Sequence, residues 1–230
     1  MPRVDTVLFD AGGVLLDLDY AFLRRLIEAR HSATTLELLS QAEAHARTHV
    51  DRRVREGSRS AEAWRDYFRT LLAHVWVPPE LHDGIIDSLW DAHQRVGLWT
   101  SPIDGAVDAV RAIKAAGFKT GVVSNAEGRV ANDLAAAGYD GLFETVVDSH
   151  VVGHEKPDPM IFKIALEKLR TTPERTVYLG DVPSIDVAGA RRAGITAVLL
   201  DRHDLYKEVD APRIHAISEL NDWISRHQSA

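Results

Sequence analysis

Apolar residues fall in two rhythms along this chain. From Pro102 onward, short β-branched runs alternate with segments whose apolar residues recur at helical spacing. The runs "KTGVVSN" (Lys119–Asn125), "ETVVDS" (Glu144–Ser149), "TVYLGD" (Thr176–Asp181) and "TAVLLDR" (Thr196–Arg202), each bounded by Gly, Asp or Asn, predict strands. Ala106–Ala116, Arg129–Ala137, Met160–Leu169 and Ile185–Ala193 carry the helical pattern between them. Strand and helix taking turns in this way predicts βαβ units and a parallel sheet covered on both faces. An earlier run, "TVLFD" at Thr6–Asp10, has the near-continuous apolar character of a strand buried in the same sheet.

The stretch between is different in kind. From about Asp19 to His93 no strand pattern emerges, but Trp64, Tyr67/Phe68, Leu71 and Val75 repeat at helical spacing, as do Ile85/Ile86, Leu89/Trp90 and His93. Thr34 with Glu37 reads as a capping box, and Pro78-Pro79 as a break between two helices. The five tryptophans mostly match core positions of such helices. The expectation is a helical insert, residues 17–97, hinged near Leu18 and Gly97, within a sheet domain built from residues 1–16 and 98–230.

Composition narrows the chemistry. With 230 residues, 45% of them hydrophobic, the chain can build a sizeable core. The absence of cysteine excludes disulfides, thiolate catalysis and cysteine-ligated metal sites. A net charge of −7, with basic stretches ("RRVREGSR", "GARRAG") that are short and free of aromatics, argues against nucleic acid as a partner. No signal-peptide pattern and no long apolar run is present, so a cytoplasmic protein without a membrane partner is expected.

In an open parallel sheet, ligands bind beyond the carboxyl ends of the strands. The first strand stops on a charge, in "FDAGGVLL" (Phe9–Leu16). The second ends in Ser124-Asn125, the fourth in Asp181, and a loop beyond the third carries Lys156. Local roles account for some of these residues. Ser124 could be an N-cap, Asp158-Pro159 in "KPDP" suits a helix start, and Asp181 and Asp186 could belong to a turn and a helix start. Asp10 is harder to explain locally, because a carboxylate ending a buried strand is costly unless something pairs with it. Asp10, Asp181 and Asp186 in one pocket would repel one another unless a hard dication joined them, and magnesium suits oxygen ligands of this kind. Lys156, Ser124 and main-chain N–H groups around Ala11–Gly13 and Asn125 would then serve phosphate oxygens. His45 and His49 could share a metal, but no glutamate follows in the zincin pattern, and neither a dinucleotide fingerprint nor a P-loop occurs.

In order and spacing, "FDAGGVLL", "VVSN", "GHEKPDP" and "GDVPSIDVAGARRAG" resemble the four motifs of the haloacid dehalogenase-like (HAD) hydrolase superfamily. The resemblance covers residues 1–16 and roughly 98–202, and the helical insert sits where that family places its first type of cap. It implies an α/β fold with a Rossmann-like, three-layer parallel-sheet core and an inserted helical cap domain. The implied activity is magnesium-dependent hydrolysis of small phosphorylated metabolites through an aspartyl-phosphate, by a monomer or homodimer. Asp10 would be the nucleophile and a magnesium ligand. Ser124, helped by Asn125, would bind the phosphoryl group, and Lys156 would pair with both that group and Asp10. Asp181 would ligate the metal, Asp186 would ligate it or orient its waters, and the Gly12 carbonyl would be a further ligand. This sequence departs from the phosphatase pattern at Gly12, where the family usually carries a second aspartate as general acid and base. Asp17 or Asp19 could stand in for it, or could simply serve the hinge and a helix N-cap. Two other readings stay open: a weak or silent phosphate-binding protein, and a 2-haloacid dehalogenase, whose Asp nucleophile needs no metal.

Overall fold

The computed structural model describes residues 3–58 and 64–228. The chain divides into two compact units, Met1–Asp17 with Thr100–Ala230, and Leu18–Trp99. Among the described residues the strands, in chain order, are β1 (Thr6–Phe9), β2 (Leu16–Leu18), β3 (Trp99–Pro102), β4 (Lys119–Ser124), β5 (Thr145–Asp148), β6 (Thr176–Gly180), β7 (Thr196–Leu200) and β8 (Arg213–Ile214).

Six of these strands form one parallel sheet in the order β5-β4-β1-β6-β7-β8. The sheet is covered on both sides, which is why Val7, Leu8 and Phe9 are all fully buried although successive side chains of a strand point to opposite faces. On one face Leu8, Val123, Val147 and Tyr178 pack with Phe162 and Ala165 of the helix Pro159–Leu169. That helix starts as its sequence dictates, with the Asp158 carboxylate accepting the Met160 N–H and Pro159 in the first turn. β1 lies between β4 and β6, so the chain proceeds in opposite directions on its two sides. This is the switch point at which an open α/β sheet leaves a crevice beyond its strand ends.

The strands end one or two residues before the runs expected from sequence, and β2, β3 and β8 were not anticipated. β2 and β8 are three and two residues long, too short for an alternation to be read, and β3 (WTSP) is polar and ends in proline, which argues against a strand. β2 and β3 form a separate two-stranded sheet. The expected helix Arg129–Ala137 is Val130–Leu134, continued by a wider turn, Ala135–Tyr139, in which Gly138 adopts a left-handed φ of 93°. Ile185–Ala193 begins earlier, as a turn over Pro183–Val187, and continues as the helix Ala188–Arg192.

The other unit is helical: α1 (Tyr20–Glu28), α2 (Leu36–Arg55), α3 (Trp64–His74) and α4 (Pro79–Val96). Leu23, Ile27, Leu39, Phe68, Leu71 and Ile85 belong to its core. The cap of α2 is Thr35 rather than Thr34. The Thr35 hydroxyl accepts the Leu38 N–H at 3.1 Å, which places Glu37 in the first turn, where the helix dipole favours an acid. Not every tryptophan is core. Trp64 and Trp99 pack around Phe68, but α3 ends at His74, and Trp76, with φ of 56°, lies off the helical face and is 72% exposed. No helix among the described residues is long and apolar enough to cross a membrane.

Candidate active site

β1 delivers Asp10 to the carboxyl edge of the sheet. Its N–H still bonds the Leu179 carbonyl at 2.9 Å, so the strand pairing holds the residue in place as the chain leaves the sheet. A tight turn follows, closed by the Ala11 carbonyl, which accepts the N–H groups of Leu15 (2.8 Å) and Leu16 (2.9 Å), and by Gly13 N–H to the Leu16 carbonyl (2.8 Å). Gly13 takes a φ of 77°, a conformation that calls for glycine, whereas Gly12 does not. The Gly12 carbonyl is not among the bonds that close the turn.

Asp10 is only 9% exposed. Its Oδ1 accepts the Ala11 N–H at 2.7 Å and pairs with Lys156 Nζ at 2.7 Å. Burial pushes its carboxyl up to about 6; Lys156 opposes that shift and the neighbouring Asp186 adds to it. Lys156 itself is buried, with its three N–H groups directed to Asp10 Oδ1, Asp186 Oδ1 (2.8 Å) and the Tyr178 hydroxyl (2.9 Å). Burial works against its charge, but the two carboxylates prevail and raise its pKa above the ordinary lysine value.

Asp186 folds back over the end of β6. Its Oδ2 accepts the main-chain N–H groups of Asp181 (3.1 Å) and Val182 (2.9 Å), while Oδ1 accepts from Lys156 and from the Tyr178 hydroxyl (2.7 Å). Each oxygen therefore takes two donors, which fills a carboxylate's acceptor positions. The fold-back depends on Gly180, since a Cβ there would sit 2.3 Å from Asp186 Cβ. Ligand oxygens of Asp10, Asp181 and Asp186 lie within 4.8 Å of one another, and all three residues are buried. Three carboxylates at this separation fit a hard, oxygen-binding dication.

Ser124 ends the neighbouring strand β4, is buried, and pairs in register with Asp148. It does not cap a helix, because the following helix begins after Arg129. Asn125 is placed differently from the sequence reading: its side-chain amide grips the main chain of Lys156, with Oδ1 accepting the Lys156 N–H (2.7 Å) and Nδ2 donating to the Lys156 carbonyl (2.9 Å). The loop after Asn125 is pinned from β5, where the Asp148 carboxylate accepts the Gly128 N–H at 2.9 Å and caps His150. Of the main-chain donors expected in Ala11–Gly13, Ala11 serves Asp10 and Gly13 serves Leu16, which leaves Gly12.

Both suggested stand-ins for the missing acid have local partners. Asp17 forms a two-pronged pair with Arg202 (2.5 and 3.2 Å), and Asp19 caps α1 by accepting the Phe22 N–H at 2.8 Å. The histidines have surface roles: His45 stacks on His74 with ring centroids 4.6 Å apart, and His49 lies 3.0 Å from Arg52. Sequence reading missed Tyr178, which looks like any apolar-strand aromatic. Burial and the nearby Asp186 and Asp10 charges hold its phenol well above the usual range, so the hydroxyl keeps its proton.

A family model described as haloacid dehalogenase-like hydrolase matches residues 4–194. Among similar proteins, a glyceraldehyde 3-phosphate phosphatase of Methanopyrus kandleri is 32% identical over 137 residues, which span 59% of this chain and 58% of that protein, little more than half its length. Haloacid dehalogenase-like hydrolase domain-containing protein 3 of Danio rerio is 34% identical over 175 residues, 75% of this chain and 72% of that protein. The solved structure of the HAD-hydrolase YfnB of Bacillus subtilis, with magnesium bound, shares the fold: TM-score 0.67 at 22% identity, over 97% of this chain and 99% of that one. With its acidic strand ends and buried lysine arranged as described, and with a family match covering most of its length, the chain belongs to the haloacid dehalogenase-like hydrolases.

Proposed function

We propose that this protein is a cytoplasmic, magnesium-dependent phosphohydrolase that cleaves small phosphorylated metabolites through Asp10. The observation that carries this reading is the state of Asp10. Both of its hydrogen bonds fall on Oδ1, which leaves Oδ2 to attack, and it sits in a group of three carboxylates with one lysine. The phosphatase name of the M. kandleri relative supports the same reaction class.

Asp10 Oδ2 attacks phosphorus in line, the bond to the leaving oxygen breaks, and water then hydrolyses the aspartyl-phosphate, so that one hard displacement becomes two easier ones. The obstacle is repulsion between a carboxylate and a phosphate dianion, and Lys156, held against Asp10, offsets it as a fixed positive charge. The Ser124 hydroxyl and the Gly12 N–H donate to phosphoryl oxygens. Asp10, Asp181 and the Gly12 carbonyl would hold magnesium, which supplies Lewis-acid neutralisation of the phosphoryl charge when bound. Asp186 orients Lys156 and the Asp181 main chain, and would ligate the metal or orient its waters. Asn125 acts by positioning Lys156, and its part in holding phosphate is limited to its main chain. The helical unit, Leu18–Trp99, is the part that would select among substrates.

Gly12 brings no general acid, so substrates with good leaving groups are favoured; such an acid is worth about 10²–10⁴ in rate. The test is hydrolysis of an aryl phosphate and of acetyl phosphate with and without magnesium, in wild type and Asp10→Asn. Turnover that needs both the metal and Asp10 supports the proposal, and metal-independent chloride release from a 2-haloacid would overturn it. Gly12→Asp should raise turnover on alkyl phosphates more than on aryl phosphates. The glycine also favours a second reading, a silent phosphate-binding protein, which gains if beryllofluoride with magnesium stabilises the fold while nothing is hydrolysed.

A further inference from the structure

We propose that Tyr178 is a positioning residue for the reaction, its hydroxyl locking the Lys156 ammonium between Asp10 and Asp186. The inference rests on the phosphohydrolase reading for its catalytic consequence, but not for its geometry.

An ammonium on a four-carbon stem is a mobile point charge with three donors that rotate together. Two carboxylates, at 2.7 and 2.8 Å, hold two of those donors. The Tyr178 oxygen, at 2.9 Å, takes the third, so that every N–H of the buried ammonium has a fixed acceptor. Tyr178 donates its own proton to Asp186 Oδ1 at 2.7 Å, the same atom that Lys156 binds, so nitrogen, carboxylate oxygen and phenol oxygen close a triangle. The phenol is itself immobile. It is fully buried on the central sheet, its ring meets Phe162 edge to face at 4.9 Å, and Lys156 Nζ lies 5.6 Å from the ring centre. Packing alone does not explain the hydroxyl, because phenylalanine would fill the same space without burying a polar oxygen. What the hydroxyl adds is the fixed location of a positive charge, and electrostatic catalysis depends on location.

Tyr178→Phe keeps the ring and removes the third partner. In metal-free protein labelled with ¹⁵N-lysine, wild type should give a slowly exchanging ammonium signal for Lys156, assigned by through-bond correlation along the side chain. Tyr178→Phe should broaden that signal beyond detection while thermal unfolding shifts by only a few degrees. In turnover, kcat should fall about tenfold with KM changed less than twofold, since the charge acts on the transition state. Phe162→Leu loosens the ring and keeps the hydroxyl, and it should leave the signal in place. An ammonium signal unchanged in Tyr178→Phe overturns the proposal, and so does equal broadening in Phe162→Leu. If wild type hydrolyses no phosphate ester, the functional reading fails while the ammonium comparison still decides the role of Tyr178.

Discussion

Each unit buries carboxylate beside tyrosine hydroxyls, and the two differ in how the charge is met. In the helical unit Glu43 is fully buried, with the hydroxyls of Tyr67 (2.6 Å) and Tyr20 on its two oxygens and Arg47 at 3.7 Å. One acid faces one cation within a helix core. In the sheet unit Asp10 and Asp186 share the ammonium of Lys156, and the carboxylate of Asp181 lies beside theirs. Hydrogen bonds and one opposite charge suffice to keep a structural carboxylate inside a protein. A surplus of carboxylates over cations, by contrast, is what the proposed magnesium would balance, and it sets the two regions apart.

The contrast breaks most sharply at Asp10. Asp10→Asn should lower aryl phosphate turnover by roughly 10⁴-fold or more, because it removes the atom that attacks. Next is Lys156→Met, which leaves buried carboxylates without their partner. Urea unfolding should register a loss of about 3–5 kcal/mol, part of which saturating magnesium restores. Glu43→Gln should cost less, about 1–2 kcal/mol, without any dependence on magnesium and with kcat near that of wild type. A magnesium-sensitive Glu43 variant would erase the distinction between the two regions. The remaining prediction concerns pH in metal-free protein. Because Asp10 is raised to about 6, the folded state holds its proton longer than the unfolded chain does. Its contribution to stability therefore falls as pH rises from about 4 to 6. Asp10→Asn should lack that decline, and magnesium, which binds the deprotonated carboxylate, should reverse it in wild type. Thermal unfolding across that window checks both.

Much of the sheet was legible because its central strands are buried on both faces and therefore apolar until their last residue. A polar residue at that point, as at Asp10, Ser124 and Asp181, stands out by breaking the pattern. Elements without such a pattern were not legible. β2 and β8 are too short, β3 is polar and ends in proline, and the adjacent threonines Thr34 and Thr35 offer two equivalent caps, between which only the fold chooses. The hydrogen-bond partners of Asn125 and Tyr178 were hidden for another reason. Their partners lie in distant segments, Lys156 being 31 residues from one and 22 from the other, and side-chain direction at that range is a property of tertiary packing. An asparagine after a strand and a tyrosine inside one are ordinary residues until the loops around them are placed.

The Asn125 clamp couples two segments mechanically. One amide side chain holds both the N–H and the carbonyl of Lys156, so the segment that follows Ser124 and the segment that presents the lysine are riveted into a single part. Neither can be remodelled alone: loop grafts between relatives that exchange one segment and keep the other will misalign the lysine, and only paired transplants will carry activity across.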